Sequence, residues 1–120
     1  MDLMTPSEFE EAIRMLRSAD AETYEEGFNW LESEDNLLMY IQTMADRLQL
    51  EEDPRMRSTF VELIGNADLE EYVPLLVKEL SHRDRLVRSW AYGVLSRSDH
   101  ECARAWSDDY RQSHPDEDFY

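Results

Sequence analysis

The sequence predicts an all-α protein: a short α-solenoid of antiparallel helix pairs with about seven helices. Three observations support this fold class. Apolar residues recur at three- and four-residue steps along most of the chain, a spacing that places them on one face of a helix. Runs of alternating β-branched residues, which would indicate strands, are missing. The third observation is that the apolar pattern of residues 72–95 recurs about 31 residues earlier.

The first pair of helices is predicted from residues that favour helix starts. Thr5 and Glu8 form a capping box, and Pro6 suits the first helical position, so a helix begins here and continues to about Arg17. Asp20 is a good cap for a second helix. The apolar positions of this pair are Phe9, Ala12, Leu16, Trp30 and Leu31.

The central part of the chain contains two clearer copies of the helix pair. A third helix is expected to begin near Ser33 or Asp35, and a fourth at Asp53–Pro54, ending at Gly65–Asn66. The apolar positions of these two helices are Tyr40, Ile41, Met44 and Leu48, then Met56, Phe60, Leu63 and Ile64. The matching positions in the next copy are Tyr72, Val73, Leu76 and Leu80, then Val87, Ala91, Val94 and Leu95. Neither helix of a pair can bury its stripe alone, so the copies should pack against each other.

Helix boundaries in the later copy are predicted from three residues. Asp68 is expected to cap the first helix and Asp84 the second, with a turn at residues 81–83. Pro74 lies beyond the first turn of the predicted helix. It should therefore remove one backbone hydrogen bond and bend the helix locally.

A seventh helix is expected to cover the end of the stack. Ser98 and Glu101 form its cap, and its apolar stripe contains Cys102, Ala103, Trp106 and Tyr110. His114 and Pro115 end it. We therefore predict that residues 1–113 form a single helical domain, and that residues 114–120 form an acidic, mobile tail.

The later copy resembles a HEAT repeat, in particular the short variety of phycobilin lyase-like proteins, and the resemblance covers about residues 5–98. It is carried by Pro74, Leu75, Leu76, Asp84, Val87, Arg88, Ala91 and Leu95. The resemblance implies a ladder in which the Asp that opens each second helix bonds to neighbouring backbone and to the Arg four residues later, here Asp53 with Arg57 and Asp84 with Arg88. Tyr24 stands where the first copy should have this Arg, as in an end-capping repeat. The family implies no catalytic residue.

The chain is strongly acidic. Its 28 acidic and 12 basic residues give a net charge of −16 at pH 7. Such a charge repels nucleic-acid backbones and anionic membranes, and it speeds encounter with a basic partner. The acidity is concentrated in residues 1–60, where 15 acidic residues accompany 5 basic ones. A purely solubilising role for this charge is the alternative.

Few residues suggest chemistry. His100, Glu101 and Cys102 lack the spacing of a structural zinc site, and Cys102 lies on the predicted apolar stripe, so we expect it to be a small buried hydrophobe. Acid pairs at residues 51–53 and 108–109 lie in loops or on solvated faces, which do not shift pKa values as catalysis requires. Phosphate-binding loops and nucleophile motifs are missing. We therefore predict no enzyme activity, no catalytic residue, no metal and no cofactor.

The second helices of stacked pairs should line one common surface. Residues opposite their apolar stripes would then form a groove. The predicted partner-binding residues are Glu22, Glu25, Asn29, Glu32, Arg55, Ser58, Glu62, Ser89 and Tyr92. Phe28 and Val61, at the flanks, are expected to pack between helices as core. Tyr92 is expected to be exposed and to serve as an anchor for the partner.

These properties favour a binding protein over an enzyme. The leading hypothesis is an acidic immunity-type inhibitor that binds and masks a basic partner protein such as a toxin, mimicking a polyanionic substrate. The alternative is an adaptor or scaffold, including a cofactor escort of the phycobilin lyase-like kind. A nucleic-acid-binding role would require a basic concave face, which the few arginines near the second-helix starts provide poorly.

The sequence also bears on location and assembly. The N-terminus lacks the basic and apolar segments of a signal peptide, and no stretch is apolar for long enough to span a membrane. A single cysteine excludes an internal disulfide framework. We therefore expect a cytoplasmic protein that binds neither membranes nor nucleic acid and is a monomer without its partner.

Overall fold

The computed structural model describes residues 3–120, and in that range it contains seven α-helices, one short 3₁₀ turn and no strands. The helices are α1 (Pro6–Leu16), α2 (Ala21–Glu32), α3 (Glu34–Leu50), α4 (Pro54–Ala67), α5 (Val73–Glu79), α6 (Arg85–Ser96) and α7 (Glu101–Ser113). The 3₁₀ turn, Glu70–Tyr72, leads into α5. Within this range, no helix combines the length and the apolar character that crossing a membrane would require. The predicted all-α class and the number of helices are confirmed.

Several helices begin at the side-chain caps that the sequence predicts. Thr5 Oγ1 accepts a hydrogen bond from the Glu8 amide at 3.1 Å, and Glu8 Oε1 accepts one from the Thr5 amide at 2.9 Å. The carboxylates of Asp20, Asp53 and Asp84 accept hydrogen bonds from amides in the first turns of α2, α4 and α6. Each cap satisfies an amide that has no partner within the helix.

Asp68 does not begin a helix, contrary to the prediction. It follows α4 with φ 50°, in the left-handed region that Asp tolerates better than most residues. Its carboxylate accepts hydrogen bonds from the Ser98 hydroxyl (2.6 Å) and the Asp99 amide (2.9 Å), so it joins the ends of α4 and α6. The next helix, α5, therefore begins only at Val73. Pro74 lies in its first turn, where it need not bend the helix.

The predicted start of α7 is also wrong. His100 occupies the cap position, and Ser98 Oγ accepts a hydrogen bond from the His100 amide at 3.0 Å instead of capping the helix. The buried residues of α7 are Ala103, Ser107 and Tyr110. Cys102 is exposed, contrary to the prediction, and Trp106 is 50% exposed. Because successive helical residues are about 100° apart, the predicted stripe had combined two faces.

The apolar positions predicted for the two central copies are buried. They form one hydrophobic cluster together with Phe9, Ala12, Leu16 and Leu31. Val61 is fully buried and Phe28 is partly buried, as expected of core residues at the flanks. One contiguous core therefore connects all parts of the fold.

The helices pack unequally. Sequence neighbours pack as α1 with α2, α3 with α4 and α5 with α6, and α4 also packs closely along α6. By contrast, α2 contacts α4 at few places, one of which is a 2.9 Å hydrogen bond between the hydroxyls of Tyr24 and Thr59. On the other side, Phe9 of α1 stacks on Tyr40 of α3 with 4.5 Å between ring centroids. In close backbone approach, the pair α1–α2 thus meets the other helices along a narrow seam, which ion pairs such as Glu10–Arg47 and Arg17–Glu51 also cross.

The ladder implied by the HEAT resemblance is formed only in part within the described part of the chain. Asp53 and Asp84 bond to neighbouring backbone as expected, but neither bonds to the Arg four residues later. Arg57 binds Glu79 rather than Asp53, and Arg88 binds the tail rather than Asp84. Both arginines also donate to the backbone carbonyl six residues earlier, at 2.9 and 3.0 Å respectively. The two copies therefore share an Arg-to-carbonyl bond in place of the Asp–Arg bond.

Gly65 permits the close approach of α4 and α6. A Cβ atom built at Gly65 would overlap Val94 Cβ and lie 2.5 Å from Val94 Cγ1. We expect Gly65→Ala to lower the free energy of unfolding by about 1–3 kcal/mol, although alanine favours helices more than glycine does. Gly93→Ala is the matched control, because its Cβ would meet only the end of the Arg97 side chain, 3.1 Å away. Urea denaturation measures both, and equal stabilities would contradict the close approach.

The tail, residues 114–120, lies against α6 and α7. Arg85 Nε donates to Asp118 Oδ1 at 2.6 Å, and Arg88 Nε donates to Glu117 Oε1 at 2.8 Å. Phe119 is partly buried against the hydrophobic cluster. Mobility of the tail stays a prediction, but these contacts define where the tail binds.

Candidate functional site

The predicted binding surface divides into an exposed part and a covered part. The exposed part is on α2, where Glu22, Glu25, Asn29 and Glu32 are all solvent-accessible. Their three- and four-residue spacing places them along one face of the helix. The predicted exposure of these four side chains is confirmed, and their binding role stays a prediction.

On α4 the predicted surface is largely occupied by contacts within the chain. Ser58 is buried, contrary to the prediction, and its hydroxyl donates to the Pro54 carbonyl at 2.7 Å. Arg55 is exposed, but its guanidinium lies 4.8 Å from the Tyr24 ring centroid and donates to the Ser18 carbonyl at 3.1 Å. The reason is that α4 has helices on several sides, so it buries more than one stripe.

On α6 the predicted surface is covered by other parts of the chain. Tyr92 is half-buried rather than exposed, because it packs against Tyr110, Phe119 and Tyr120 at centroid distances of 6.4, 5.7 and 5.0 Å. Ser89 is half-buried, and its hydroxyl donates to a backbone carbonyl of its own helix. The prediction that Tyr92 is an exposed anchor is therefore wrong.

Two predicted acids, Glu32 and Glu62, lie close enough to repel each other. Burial of Glu62, and then the neighbouring Glu32 carboxylate, raise the pKa of Glu62, while Arg97 opposes this only in part. Asn66 Nδ2 donates to Glu32 Oε2 at 3.0 Å, which holds Glu32 at the end of α4. Two neighbouring carboxylates therefore lie where α2 and α4 meet, and the positive charge of Arg97 offsets their repulsion only in part.

Glu62→Gln should raise the stability of the free chain at neutral pH. A carboxyl group whose pKa is raised by folding contributes stability below its ordinary pKa, and this contribution is lost as the pH rises through the raised pKa. Glutamine resembles the protonated form and keeps that contribution at neutral pH. We therefore expect a higher Tm for the variant at neutral pH and equal Tm values below a pH of about 4. Glu25→Gln, at an exposed position, is the control. If Glu62→Gln changed the Tm no more than Glu25→Gln does, the ionised Glu62 carboxylate would not destabilise the fold.

Next to these acids lies a groove of about 420 Å³. Its lining residues are Glu32, Glu34, Leu37, Leu38, Asn66, Ala67 and Leu69. Leu38, which lines the groove, is 46% exposed, so part of the groove is apolar and open to solvent. Met39, next in the chain, is also exposed (53%). Sequence reasoning missed this groove. The available signal was that Leu38 and Met39 lie off the buried stripe of α3.

A second depression, of about 260 Å³, lies between the C-terminal ends of α4 and α6. It is lined by Gly65, Asn66, Asp68, Val94, Arg97, Ser98 and Asp99. The last carbonyls of a helix carry the negative end of its dipole, so both helix ends favour cations here, and Arg97 in the lining supplies one positive charge. Four acids edge the groove and this depression, namely Glu32, Glu34, Asp68 and Asp99. Together with Glu62, the neighbour of Glu32, we refer to them as the acidic rim.

Two acids outside the acidic rim, Glu51 and Glu79, form ion pairs with arginines. Burial raises the pKa of Glu51, but the hydrogen bond from Arg17 at 2.5 Å and the bond from the Asp53 amide outweigh it, so the pKa is lowered overall. Glu79 is buried and binds Arg57 through both carboxylate oxygens, at 2.5 and 3.0 Å. Its hydrogen bond is the largest cause of the raised pKa of Arg57. This pair, which the sequence reasoning missed, ties α5 to α4.

Other candidate groups do not assemble into a metal site in the part of the chain that the structure describes. Over residues 3–120, no group of three or more His, Cys, Asp or Glu side chains is arranged to hold a metal ion. His100 Nε2 lies 2.8 Å from the Asp68 carbonyl, and Cys102 Sγ lies 3.8 Å from Glu70 Oε1. Both side chains point toward the connection between α4 and α5.

The chain matches no protein-family model, no curated protein and no solved structure. The function is therefore inferred from the geometry and charge of the described surface.

Proposed function

We propose that this chain is a non-enzymatic protein-binding module that binds and masks a basic partner protein, as an immunity-type inhibitor of a toxin does. The observation that supports this most is the cluster of carboxylates at the ends of α2 and α4. Glu32 and Glu34 line the groove there, and burial, then the neighbouring Glu32 carboxylate, raise the pKa of Glu62. In the free chain these carboxylates repel each other. A Lys or Arg side chain of a partner would relieve the repulsion and gain charge-assisted hydrogen bonds.

The shape of the acidic region suits a protein partner. The acids of α2 form a row, and the acidic rim continues this acidic surface around the ends of α2, α4 and α6. The groove beside the rim adds apolar surface at Leu38 and Leu69. A partner segment that combines basic and apolar side chains would therefore bury apolar area and pair its charges in one place.

We further infer that the three helix pairs stack in a HEAT-like manner, which would bring their second helices to one side of the molecule. Two features support the stack. Arg57 and Arg88, which are 31 positions apart, donate to equivalent carbonyls, and α4 packs closely along α6. The sparse contacts between α2 and α4 and the unformed Asp–Arg ladder depart from a regular stack.

Charge reversal of α2 tests the proposal. The partner is first captured from the native cell with the purified chain and identified by mass spectrometry. We then expect the double variant Glu25→Lys, Glu32→Lys to bind it at least about tenfold more weakly, mainly through slower association. The variant Glu101→Lys, Asp108→Lys changes the net charge equally at exposed positions on α7 and is the control.

The salt dependence of association adds a second measurement. Charges more than about 10 Å apart are screened at 0.1 M salt, so the association rate should fall steeply between low and physiological ionic strength. An affinity unchanged by the α2 reversal would show that another surface binds. An association rate that is insensitive to salt would refute the electrostatic inhibitor.

One observation favours an adaptor as the second candidate. Trp106, together with Cys102 and Ala105, forms an exposed apolar patch on α7, separate from the acidic rim. A scaffold that joins two proteins needs two such surfaces. Binding of two different proteins at once, seen as a ternary complex in size-exclusion chromatography, would favour the adaptor, and a simple one-to-one complex would favour the inhibitor.

A further inference from the structure

The tail, residues 114–120, covers a face that is rich in arginine, although the protein as a whole is acidic. The chain has 12 basic residues in total, yet three of them, Arg85, Arg88 and Arg111, contact the tail. Arg85 and Arg88 lie in the first turns of α6, and that first turn carries no acidic side chain. A helix N-terminus favours negative charge, so two arginines there create a local anion-binding face on an acidic protein.

The acids of the tail complement this face. Glu117 accepts hydrogen bonds from Arg88 Nε at 2.8 Å and from the Tyr110 hydroxyl at 3.2 Å, and its side chain is 17% exposed. Asp118 accepts one from Arg85 Nε at 2.6 Å. The chain therefore shows what kind of ligand this face accepts.

The aromatic residues of the tail fill the adjoining apolar surface. Phe119 lies 5.7 Å from the Tyr92 ring and 6.3 Å from the Tyr110 ring, and the Arg85 guanidinium lies 5.6 Å from Phe119. Tyr120 lies 5.0 Å from Tyr92. Such ring contacts and Arg–ring contacts select for aromatic side chains.

The tail is held by two ion pairs of different exposure. The Arg85–Asp118 pair is largely exposed, with 53% and 79% of the two side chains accessible, and exposed ion pairs contribute little to stability. The Arg88–Glu117 pair is more buried, at 22% and 17%, so it is the main contact that a competing segment must replace. The face itself does not depend on the tail, because α6 and α7 pack through buried residues of their own, including Val87, Ala91 and Ala103.

We propose that the face formed by Arg85, Arg88, Tyr92 and Tyr110 is a binding site for a protein segment in which acidic residues are followed by aromatic ones. The tail of this chain fills the site from within, and a partner segment of the same chemistry displaces it. This site is separate from the acidic rim and does not depend on the function proposed for the rim.

The test uses the full chain and a fluorescent peptide with the sequence of residues 114–120. In the tail variant Glu117→Lys, Asp118→Lys, Arg85 and Arg88 repel the two new lysines, so the tail leaves the site. The apparent affinity of a competing ligand rises as the competent fraction rises, and we expect the peptide to bind this variant at least about tenfold more tightly than the native chain. The variant Glu101→Lys, Asp108→Lys has the same net charge and should bind the peptide as weakly as the native chain does.

A third substitution tests the site itself. Adding Arg88→Gln to the tail variant should reverse the gain in affinity, whereas adding Arg14→Gln, at an exposed position of α1, should not. Fluorescence anisotropy measures all five proteins. Equal affinities for the tail variant and its charge-matched control would overturn the proposal, as would a gain in affinity that persists after Arg88→Gln. Neither result would bear on binding of a basic partner at the acidic rim.

Discussion

Glu79→Ala is expected to lower the free energy of unfolding by about 3–5 kcal/mol, because it leaves the largely buried charge of Arg57 without its carboxylate. The Glu79 side chain is 2% exposed and that of Arg57 is 14% exposed, so water cannot replace the lost partner well. Both carboxylate oxygens of Glu79 bind the guanidinium. The pair also connects α5 to α4, so its loss should weaken the packing between the last two helix pairs.

An exposed pair provides the control for Glu79. Glu10 of α1 binds Arg47 of α3, but 54% of the Glu10 side chain and 38% of the Arg47 side chain are accessible. We expect Glu10→Ala to change the stability by less than about 1 kcal/mol. Replacing Glu79 and Arg57 together with methionine should recover much of the loss, because no unpaired charge remains. Similar effects of Glu79→Ala and Glu10→Ala in urea denaturation would show that the pair is not buried in solution.

Leu95→Ala is expected to cost about 2–5 kcal/mol, the usual range for a buried leucine whose cavity cannot collapse fully. Leu95 is fully buried in α6, and α6 packs against α4, α5 and α7. A cavity at this position therefore removes contacts between several helices at once.

The matched control for Leu95 lies on the same helix. Leu86 is 41% exposed, so Leu86→Ala removes the same atoms largely from the surface and should cost less than about 1 kcal/mol. Thermal and urea unfolding of the two variants give the comparison. A Leu95→Ala protein as stable as Leu86→Ala would mean that α6 is not central to the core.

The core was predictable because helical spacing is a local property. The positions chosen at three- and four-residue steps, such as Leu48, Phe60 and Leu95, are buried with near-zero exposure. Caps are local as well, and Asp20, Asp53 and Asp84 act as predicted. Asp68 was misassigned because its partners, Ser98 and Asp99, are about 30 residues away and cannot be identified from the neighbouring sequence.

The candidate site was predictable only in part, for the same reason. Exposure of the α2 acids follows from the helical pattern. Burial of Ser58 depends on how many helices surround α4, and burial of Glu79 depends on Arg57 in another helix pair. Tyr92 is covered by Phe119 and Tyr120 of the tail, and the composition of the tail does not indicate which residues it packs against. These are long-range contacts, which spacing along one chain segment does not encode.

The narrow seam between α1–α2 and the other helices gives the native state a preferred place to open. Local unfolding begins where the fewest buried contacts must be broken. Separation at the seam breaks the Phe9–Tyr40 stack, the Tyr24–Thr59 bond and the ion pairs Glu10–Arg47 and Arg17–Glu51. The close packing of α4 on α6 stays intact. Because α1 packs closely on α2, we expect these two helices, and the exposed acids on α2, to separate from the other helices as one unit.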